Sequence, residues 1–509
     1  MATILLTTIN ARYIHASLGL RCLQANLGEL RAQSVIMEFS LEDRPEDMVE
    51  RLLAEKPSII GLGIYIWNAA QSATLIQLLK MLAPQVPVII GGPEASHRPW
   101  RVNLSPADYC ISGEGELAFY ALCTELLRGR QPEKRFITAQ APELHHLQLP
   151  YDFYSKEDLA HRLCYVEASR GCPFGCEFCL SSLDKRVRHV PGDHFLTALE
   201  SLWQRGARTF KFVDRSFNTA EHQALAILDF FLAKEQPYHA HFEVIPEHFS
   251  AAMKERLCAF PPGTLQLEIG IQTLQQEVAT AIGRRFDLRK IKENISFLNK
   301  ETKAHLHLDL IIGLPGETMA AFGEDLNQLM SFAQGEIQLG ILKKLSGTSI
   351  SRHDKQFGMV YNPNPPYELL ANACLSFMQL QSLKRMARYW DLCHNSGNFR
   401  NTLPLLWRNQ DVFHSFFHFS QWLHEETEAT WKIALPRLAE FLFRYLVEKQ
   451  GASAQETANS LAADILTVKG RVLPPLVREQ VTCLPKRAMP LTRTLTRRQD
   501  RHDLPAEDT

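Results

Sequence analysis

Short apolar runs alternate with longer stretches of helical spacing over the first quarter of the chain. "TILLTT" (3–8), "SVIMEF" (34–39), "SIIGLGIYI" (58–66), "VPVIIGG" (86–92) and "DYCIS" (108–112) are apolar nearly throughout, as suits strands covered on both faces by helices. Helical patterns near 17–30, 45–55, 68–83 and 116–128 fill the intervals. This alternation predicts a five-stranded, parallel, doubly wound α/β domain over residues 1–130, with ligands beyond the carboxyl ends of its strands. Residues 131–160 lose the rhythm: the polar "RGRQPEKRF" and the irregular "LHHLQLPYDFY" read as a linker.

A second alternation begins at 163. "LCYVEAS", "TFKFVD" (209–214), "HAHFEVI" (239–245), "LQLEIGI" (265–271), "HLHLDLIIGL" (305–314) and "EIQLGILKKL" (336–345) are strand-like, and each interval has room for a helix. Six βα units are too few for a closed eight-fold barrel, so a partial (β/α)6 barrel over 161–348 is expected, with its chemistry on loops at the C-terminal strand ends. Past about 350 the strand pattern stops. Helical spacing with Trp390, Trp407, Trp422 and Trp431 among many Phe predicts an α-helical domain over 349–485. The tail 486–509, basic over 486–501, reads as disordered and solvated, the alternative being an RNA-contacting arm.

Composition narrows the function classes. A chain of 509 residues, 45% hydrophobic and 22% charged, suits two to four globular domains. The formal net charge of −1 gives no whole-protein field for nucleic acid or acidic membrane. No run approaches the roughly 20 apolar residues of a membrane span. The N-terminal stretch reads as a strand rather than a leader, so a cytoplasmic protein is expected. Eight of the eleven cysteines (Cys22, Cys110, Cys123, Cys164, Cys258, Cys374, Cys393 and Cys483) are scattered singly, as buried apolar thiols are.

The other three are not scattered. In "ASRGCPFGCEFCL" (168–180), Cys172, Cys176 and Cys179 fall within eight positions, directly after the first barrel strand. Structural zinc prefers four ligands in two pairs, and no second pair is visible. A redox disulfide needs two thiols. An iron–sulfur cube is normally held by four cysteines, so three would leave one iron open to an exchangeable ligand. Gly171, Pro173 and Gly175 permit a tight wrap around such a group.

"CPFGCEFC" resembles the cluster loop of the radical S-adenosylmethionine (SAM) superfamily, including the aromatic Phe178 before the third cysteine. The resemblance implies that Cys172, Cys176 and Cys179 ligate a [4Fe–4S] cluster, that SAM binds the fourth iron, and that reductive cleavage yields a 5′-deoxyadenosyl radical. It also implies an electron donor, a reductase or other protein. Residues at successive strand ends are its SAM candidates beside Phe178: Asp214 and Asn218 in "VDRSFN", Glu243 in "HFEVIPE", and Glu268 and Gln272 in "LEIGIQT". "LDLIIGLPGET" is similar to the family's fifth-strand motif.

A doubly wound domain ahead of such a barrel resembles the cobalamin-binding radical SAM class. Gly91, Gly92 and Pro93 of "VPVIIGGPEAS" are similar to that class's Gly-Gly-Pro turn, and Gly113, Glu114, Gly115 and Glu116 of "CISGEGELAFYAL" to its helix entry. The Asp-x-His-x-x-Gly loop that supplies a lower cobalt ligand elsewhere is not matched: in "INARYIHASLG" Tyr13 replaces the Asp and Gly19 falls one position late. Carry-over of His15 as a cobalt ligand therefore fails, and Tyr65, Trp67 and Asn68 of "YIWNAAQS" are the candidates for the cobalt face. The resemblance implies methyl transfer from cobalamin to an unactivated carbon of an unknown substrate, small molecule or macromolecule. The alternatives are cobalamin-independent radical modification of RNA or another macromolecule, and a non-catalytic iron–sulfur redox sensor. No catalytic side chain is assigned. In the helical region, "WDLCHNSGNFRN" (390–401) is the most site-like stretch, a helix-capping turn being the equal alternative.

Overall fold

The computed structural model describes residues 4–408, 410–468 and 470–484, which form two compact units. One runs to Glu243 and takes in Lys343–Asp354 and Tyr361–Leu369. The other holds Val244–Leu342, Lys355–Val360 and the chain from Leu370. The basic segment 486–509 lies outside the described residues.

The first unit opens with a parallel sheet of β1 (Ile4–Asn10), β2 (Ser34–Ser40), β3 (Ile59–Gly63), β4 (Val88–Gly91), β5 (Tyr109–Ser112) and β6 (Phe136–Thr138), in the order β2-β1-β3-β4-β5-β6. Successive side chains point to opposite faces, which splits the apolar runs between two cores. Leu5, Ile9, Ile60, Leu62, Val88 and Ile90 pack with residues of helices Pro45–Ala54 and Ala69–Leu82. Ile4, Leu6, Ile59, Ile89 and Ile111 pack with Leu18–Ala25 and Glu116–Leu127. At ~1.5–3 kcal/mol for each fully buried aliphatic side chain, these two cores hold the sheet. The order reverses between β1 and β3, the position where a doubly wound sheet opens a crevice.

The sheet has six strands where the sequence pattern predicts five. Phe136–Thr138 is three residues long and largely exposed, so it carries no apolar signal; pairing with β5 makes it a strand.

The same unit holds β7 (Cys164–Val166), the short antiparallel pair β8 (Ser169–Arg170) and β9 (Arg188–His189), then β10 (Thr209–Phe212) and all but the last residue of β11 (His239–Val244). β10 runs parallel to both β7 and β11. Helices Gly192–Gln204 and Glu221–Leu232 are the crossovers, burying Phe195, Leu199 and Leu202, and Ala224, Ile227, Leu228 and Phe231.

In the second unit β13 (His305–Ile312) runs parallel to β12 (Leu265–Gln272) and β14 (Glu336–Ile341). Helix Leu288–Glu301 buries Ile291, Ile295 and Leu298 at helical spacing and is capped by Asp287. Strands do not end altogether past 350: Val360–Tyr361 and Leu369–Ala371 are short strands. Helices then dominate, and their aromatics are core. Trp390, fully buried, meets Phe416 edge-on at 4.9 Å. A Cβ at Gly323 would lie 2.5 Å from the Phe413 ring, so helices Met319–Met330 and Val412–Thr427 approach closely because that position is glycine. Among the described residues no helix is long and apolar enough to cross a membrane.

Candidate functional site

β8 and β9 close the loop that carries the three cysteines. Gly171 has φ +93°, and a Cβ there would sit 2.4 Å from the Arg186 carbonyl; only glycine fits. The Cys172 N–H donates to Asp184 O at 2.9 Å, and the Cys179 N–H to Cys176 O at 3.1 Å. Cys172 is buried; Cys176, Phe178 and Cys179 are half-buried. Burial pushes the Cys172 thiol up, the Phe174 backbone works against it, and Cys179 and Cys176 add to the rise. Among the described residues no group of three or more His, Cys, Asp or Glu is gathered closely enough for a single ion. A three-thiol set on one short loop fits an iron–sulfur cube, which takes one cysteine per iron.

The loop is tied to the first sheet by charge. Arg170, two residues before Cys172, pairs with Glu114, Glu116 and Glu167, each at 2.8 Å. Arg188, on the far side of the loop, pairs with Glu114 and, at 3.0 Å, with Asp184. The acids of the Gly-Glu-Gly-Glu entry thus face two arginines. Burial tends to raise the Glu114 carboxyl, but hydrogen bonds from Arg188 and Arg170 hold it below its usual range. Glu167 ends above its usual range because burial outweighs Arg170.

Beside this clamp the first sheet holds a cavity of about 390 Å³, lined by Gly61, Gly63, Gly91, Gly92, Ile111 and Phe119 among others, and reached by Glu167 and Arg170. Gly63 and Gly91 are register partners on β3 and β4, and Gly61 shares the face of Gly63, so missing side chains make the cleft. Gly92 has φ +100°, and a Cβ there would meet the Ile64 carbonyl at 2.6 Å. Pro93, Gly113, Glu114, Gly115 and Glu116 also line the space. Sequence reading found the Gly-Gly-Pro turn but passed over Gly61 and Gly63; two glycines at i and i+2 of an apolar strand were the available signal.

The cobalt-face candidates divide. Tyr65 lines the cavity and stacks on the exposed Trp67, with centroids 4.5 Å apart and planes 5° apart. Asn68 is fully buried, receives the Tyr65 N–H at 2.8 Å and donates to Ile9 O at 3.0 Å. It braces the turn and presents nothing to the cavity. His15 Nδ1 lies 2.7 Å from the Tyr165 hydroxyl, and the Leu163 N–H donates to Ile14 O at 2.9 Å, so the β1 loop is joined to β7.

The SAM candidates also divide. Asp214 accepts from the Ala168 N–H at 3.0 Å and the Ser169 hydroxyl at 2.5 Å, and burial pushes its carboxyl up to about 7. Its oxygens brace the entry to the cysteine loop. Asn218 is buried in the turn Phe217–Thr219, and Glu243 takes Arg215 Nη1 on both oxygens at 2.8 and 2.9 Å. In the second unit Glu268 and Gln272 share the half-buried face of β12. Gln272 has φ +70°, and its amide folds back to within 2.5 Å of where a Gly270 Cβ would be. Glu317 of "GLPGET" is fully buried, pushed up by that burial, and accepts the Gly313 N–H at 2.7 Å.

The site-like stretch 390–401 lies elsewhere. Its Trp390, Cys393 and Asn395 are buried, and Asn395 bonds the N–H and carbonyl of Ile337 at 2.9 Å each. His394 and Arg400 line a cleft of about 590 Å³ at the start of β13 and β14, the end remote from Gly313.

Known families match in the same order. The B12 binding domain matches residues 4–123, and the radical SAM superfamily matches residues 166–329. The chain carries a B12-binding domain followed by a radical SAM domain. It is a radical SAM enzyme, with the two-domain α/β layout and helical C-terminus expected from its sequence. A protein family of unknown function, DUF4080, matches residues 355–501. An uncharacterized methyltransferase of Pyrococcus horikoshii is 25% identical over 348 residues, covering 62% of this chain and 72% of its own. The cobalamin-dependent radical SAM methyltransferase TokK of Streptomyces tokunonensis is 24% identical over 330 residues, 56% of this chain and 47% of its own. The chain thus spans about half the length of TokK. Among solved structures, the cobalamin-dependent SAM radical enzyme OxsB, with aqua-cobalamin and SAM bound, superposes with TM-score 0.60 at 12% identity, covering 90% of this chain and 78% of that one. The radical SAM methyltransferase TsrM of Kitasatospora setae, with cobalamin and a [4Fe–4S] cluster bound, gives 0.55 at 16% identity over 69% of this chain and 74% of that one. At these identities the two structures show a shared fold.

Proposed function

We propose that this radical SAM enzyme is a cobalamin-dependent methyltransferase acting on an unactivated carbon of a substrate not yet identified. The observation that carries this reading is one compact unit holding both the three-cysteine loop and a glycine-walled cavity, joined through Arg170. Cys172, Cys176 and Cys179 are the residues for the cluster. Within this unit Asn218 and Glu243 are the polar groups for SAM, with Phe178 beside the third thiol and Asp214 bracing the loop. Gly91–Pro93, Gly113 and Gly115 admit the backbone close to cobalamin, and the Tyr65–Trp67 stack offers a flat apolar face toward it. When bound, the cluster supplies the electron that cleaves SAM to a 5′-deoxyadenosyl radical, and cobalamin supplies the methyl group. The protein's own work is to orient these groups and exclude quenchers: Asp214 and Arg170 fix the loop entry, and the apolar walls of the cleft keep water out. The working domain limits are 1–130, 131–160, 161–348 and 349–485. The reading places the enzyme in the cytoplasm with a reductase or other electron donor as partner.

The test is anaerobic reconstitution of the full chain. About four iron per chain, an electron paramagnetic resonance (EPR) signal that changes on SAM addition, and corrin absorbance that co-elutes with protein are the expected results. Cys176→Ala abolishes the cluster signal. An unchanged signal with SAM refutes the SAM site, and failure to retain corrin under reducing conditions refutes the cobalamin part.

A further inference from the structure

Between Cys176 and Cys179 lies Glu177, whose side chain is 6% exposed. A carboxylate buried between two thiolate ligands would repel the charge the ligands carry, and burying it without a partner is costly. It has partners nearly two hundred residues away. His353 Nε2 stands 2.8 Å from Glu177 Oε2, and Arg352 pairs with Oε1. Both lie on the turn Ser349–His353, in the Lys343–Asp354 segment that returns to the first unit after β14. His353 is itself buried.

The segment is stiffly backed. Tyr367, on the Tyr361–Leu369 segment and joined to this one by the Lys344 N–H on its carbonyl at 3.0 Å, donates its hydroxyl to Glu94 Oε1 at 2.7 Å, two residues beyond Gly92 in the Gly-Gly-Pro turn. Arg101 donates to Lys344 O at 2.6 Å and covers the Tyr367 ring at 4.2 Å. Gly347 has φ +88°, and a Cβ there would strike the His97 ring at 2.4 Å. One strap therefore grips the turn after β4 and the cysteine loop together.

We propose that Arg352 and His353 are positioning residues of the iron–sulfur loop: by gripping both oxygens of Glu177 from a strap seated on the first sheet, they hold Cys176 and Cys179 in ligating register. The proposal rests on the reading of the three cysteines as cluster ligands.

Four reconstituted full-length proteins test this: wild type, R352A/H353A, R352K/H353Q and Glu177→Gln. The expected result for R352A/H353A is wild-type circular dichroism with at least a two-fold loss of iron per chain after anaerobic desalting, and a weakened SAM-induced EPR change. R352K/H353Q, which keeps a cation and an N–H donor, restores both. Glu177→Gln removes a buried negative charge and shifts the cluster potential to a more positive value in a redox titration. Wild-type iron and a wild-type SAM response in R352A/H353A overturn the proposal. Should that variant fail to fold, Glu177→Gln decides: it weakens the grip from the loop side, and wild-type iron retention with a wild-type SAM response in it overturns the proposal. A wild-type chain that binds no iron overturns the cysteine reading instead, which separates the two failures.

Discussion

Arg170→Met is the most searching change to make in this protein. Arg170 is largely buried and meets Glu114, Glu116 and Glu167. Methionine keeps much of the stem's volume and removes the charge, leaving carboxylates facing one another. Breaking a buried pair by removing one partner costs about 3–5 kcal/mol. The cost has a ceiling, because a stranded carboxyl takes up a proton. For one Glu of ordinary value 4.5, that ceiling is about 4 kcal/mol at pH 7.5 and about 1.4 kcal/mol at pH 5.5, at 1.36 kcal/mol per unit. Glu167 already stands above its usual range through burial, and losing Arg170 moves it higher. An acid raised in the folded state contributes its stability below the unfolded value and loses it as pH rises through the folded value. The deficit of Arg170→Met therefore grows from pH 5.5 to pH 7.5. At ~2–4 °C per kcal/mol for a unit of this size, calorimetry of the apo-protein should show a melting point lowered by up to about 10 °C at pH 7.5 and by no more than about 4 °C at pH 5.5. Glu167→Gln in the same background recovers part of the loss. A shift equal at the two pH values, or no recovery in the double variant, refutes the reasoning.

Two further changes test the cavity and the loop brace. Gly92→Ala forces a Cβ against Ile64 O at 2.6 Å on a backbone of φ +100°, at ~1–2 kcal/mol of conformational cost before the clash is counted; gel filtration with hydroxocobalamin should show several-fold less corrin retained, and undiminished retention refutes the assignment of the turn. Asp214, at about 7 in the folded state against an ordinary 3.8, holds a proton the unfolded chain releases. Its contribution to stability is complete below about pH 4 and falls by about 4 kcal/mol as pH rises to 7 and beyond. The difference between the wild-type and Asp214→Asn stability profiles should carry that slope, and two parallel profiles would show that Asp214 is not raised.

Much of the fold was legible because a fully covered parallel strand must be apolar on both faces. "TILLTT" and "SIIGLGIYI" announce themselves, while Phe136–Thr138 does not, being an edge strand with little to bury. The three cysteines were legible for a similar local reason: ligands to one group on one loop must be near in sequence. What the other motif residues do was not legible. Glu114 and Glu116 carry the signature of a cofactor turn, yet their oxygens face Arg170 and Arg188, from loops 54 to 74 positions away. Asn68, placed by sequence at the cobalt face, is turned inward because the Tyr65 N–H and Ile9 carbonyl need partners.

By itself, then, the sequence determined the order of the domains, the two-sided strands and the three-thiol loop, since each is written in contiguous residues. Only the tertiary structure decided which buried charges meet. Glu177 finds His353 across 176 positions and Glu94 finds Tyr367 across 273, because a carboxylate taken out of water must be matched by whatever donor the fold brings to it.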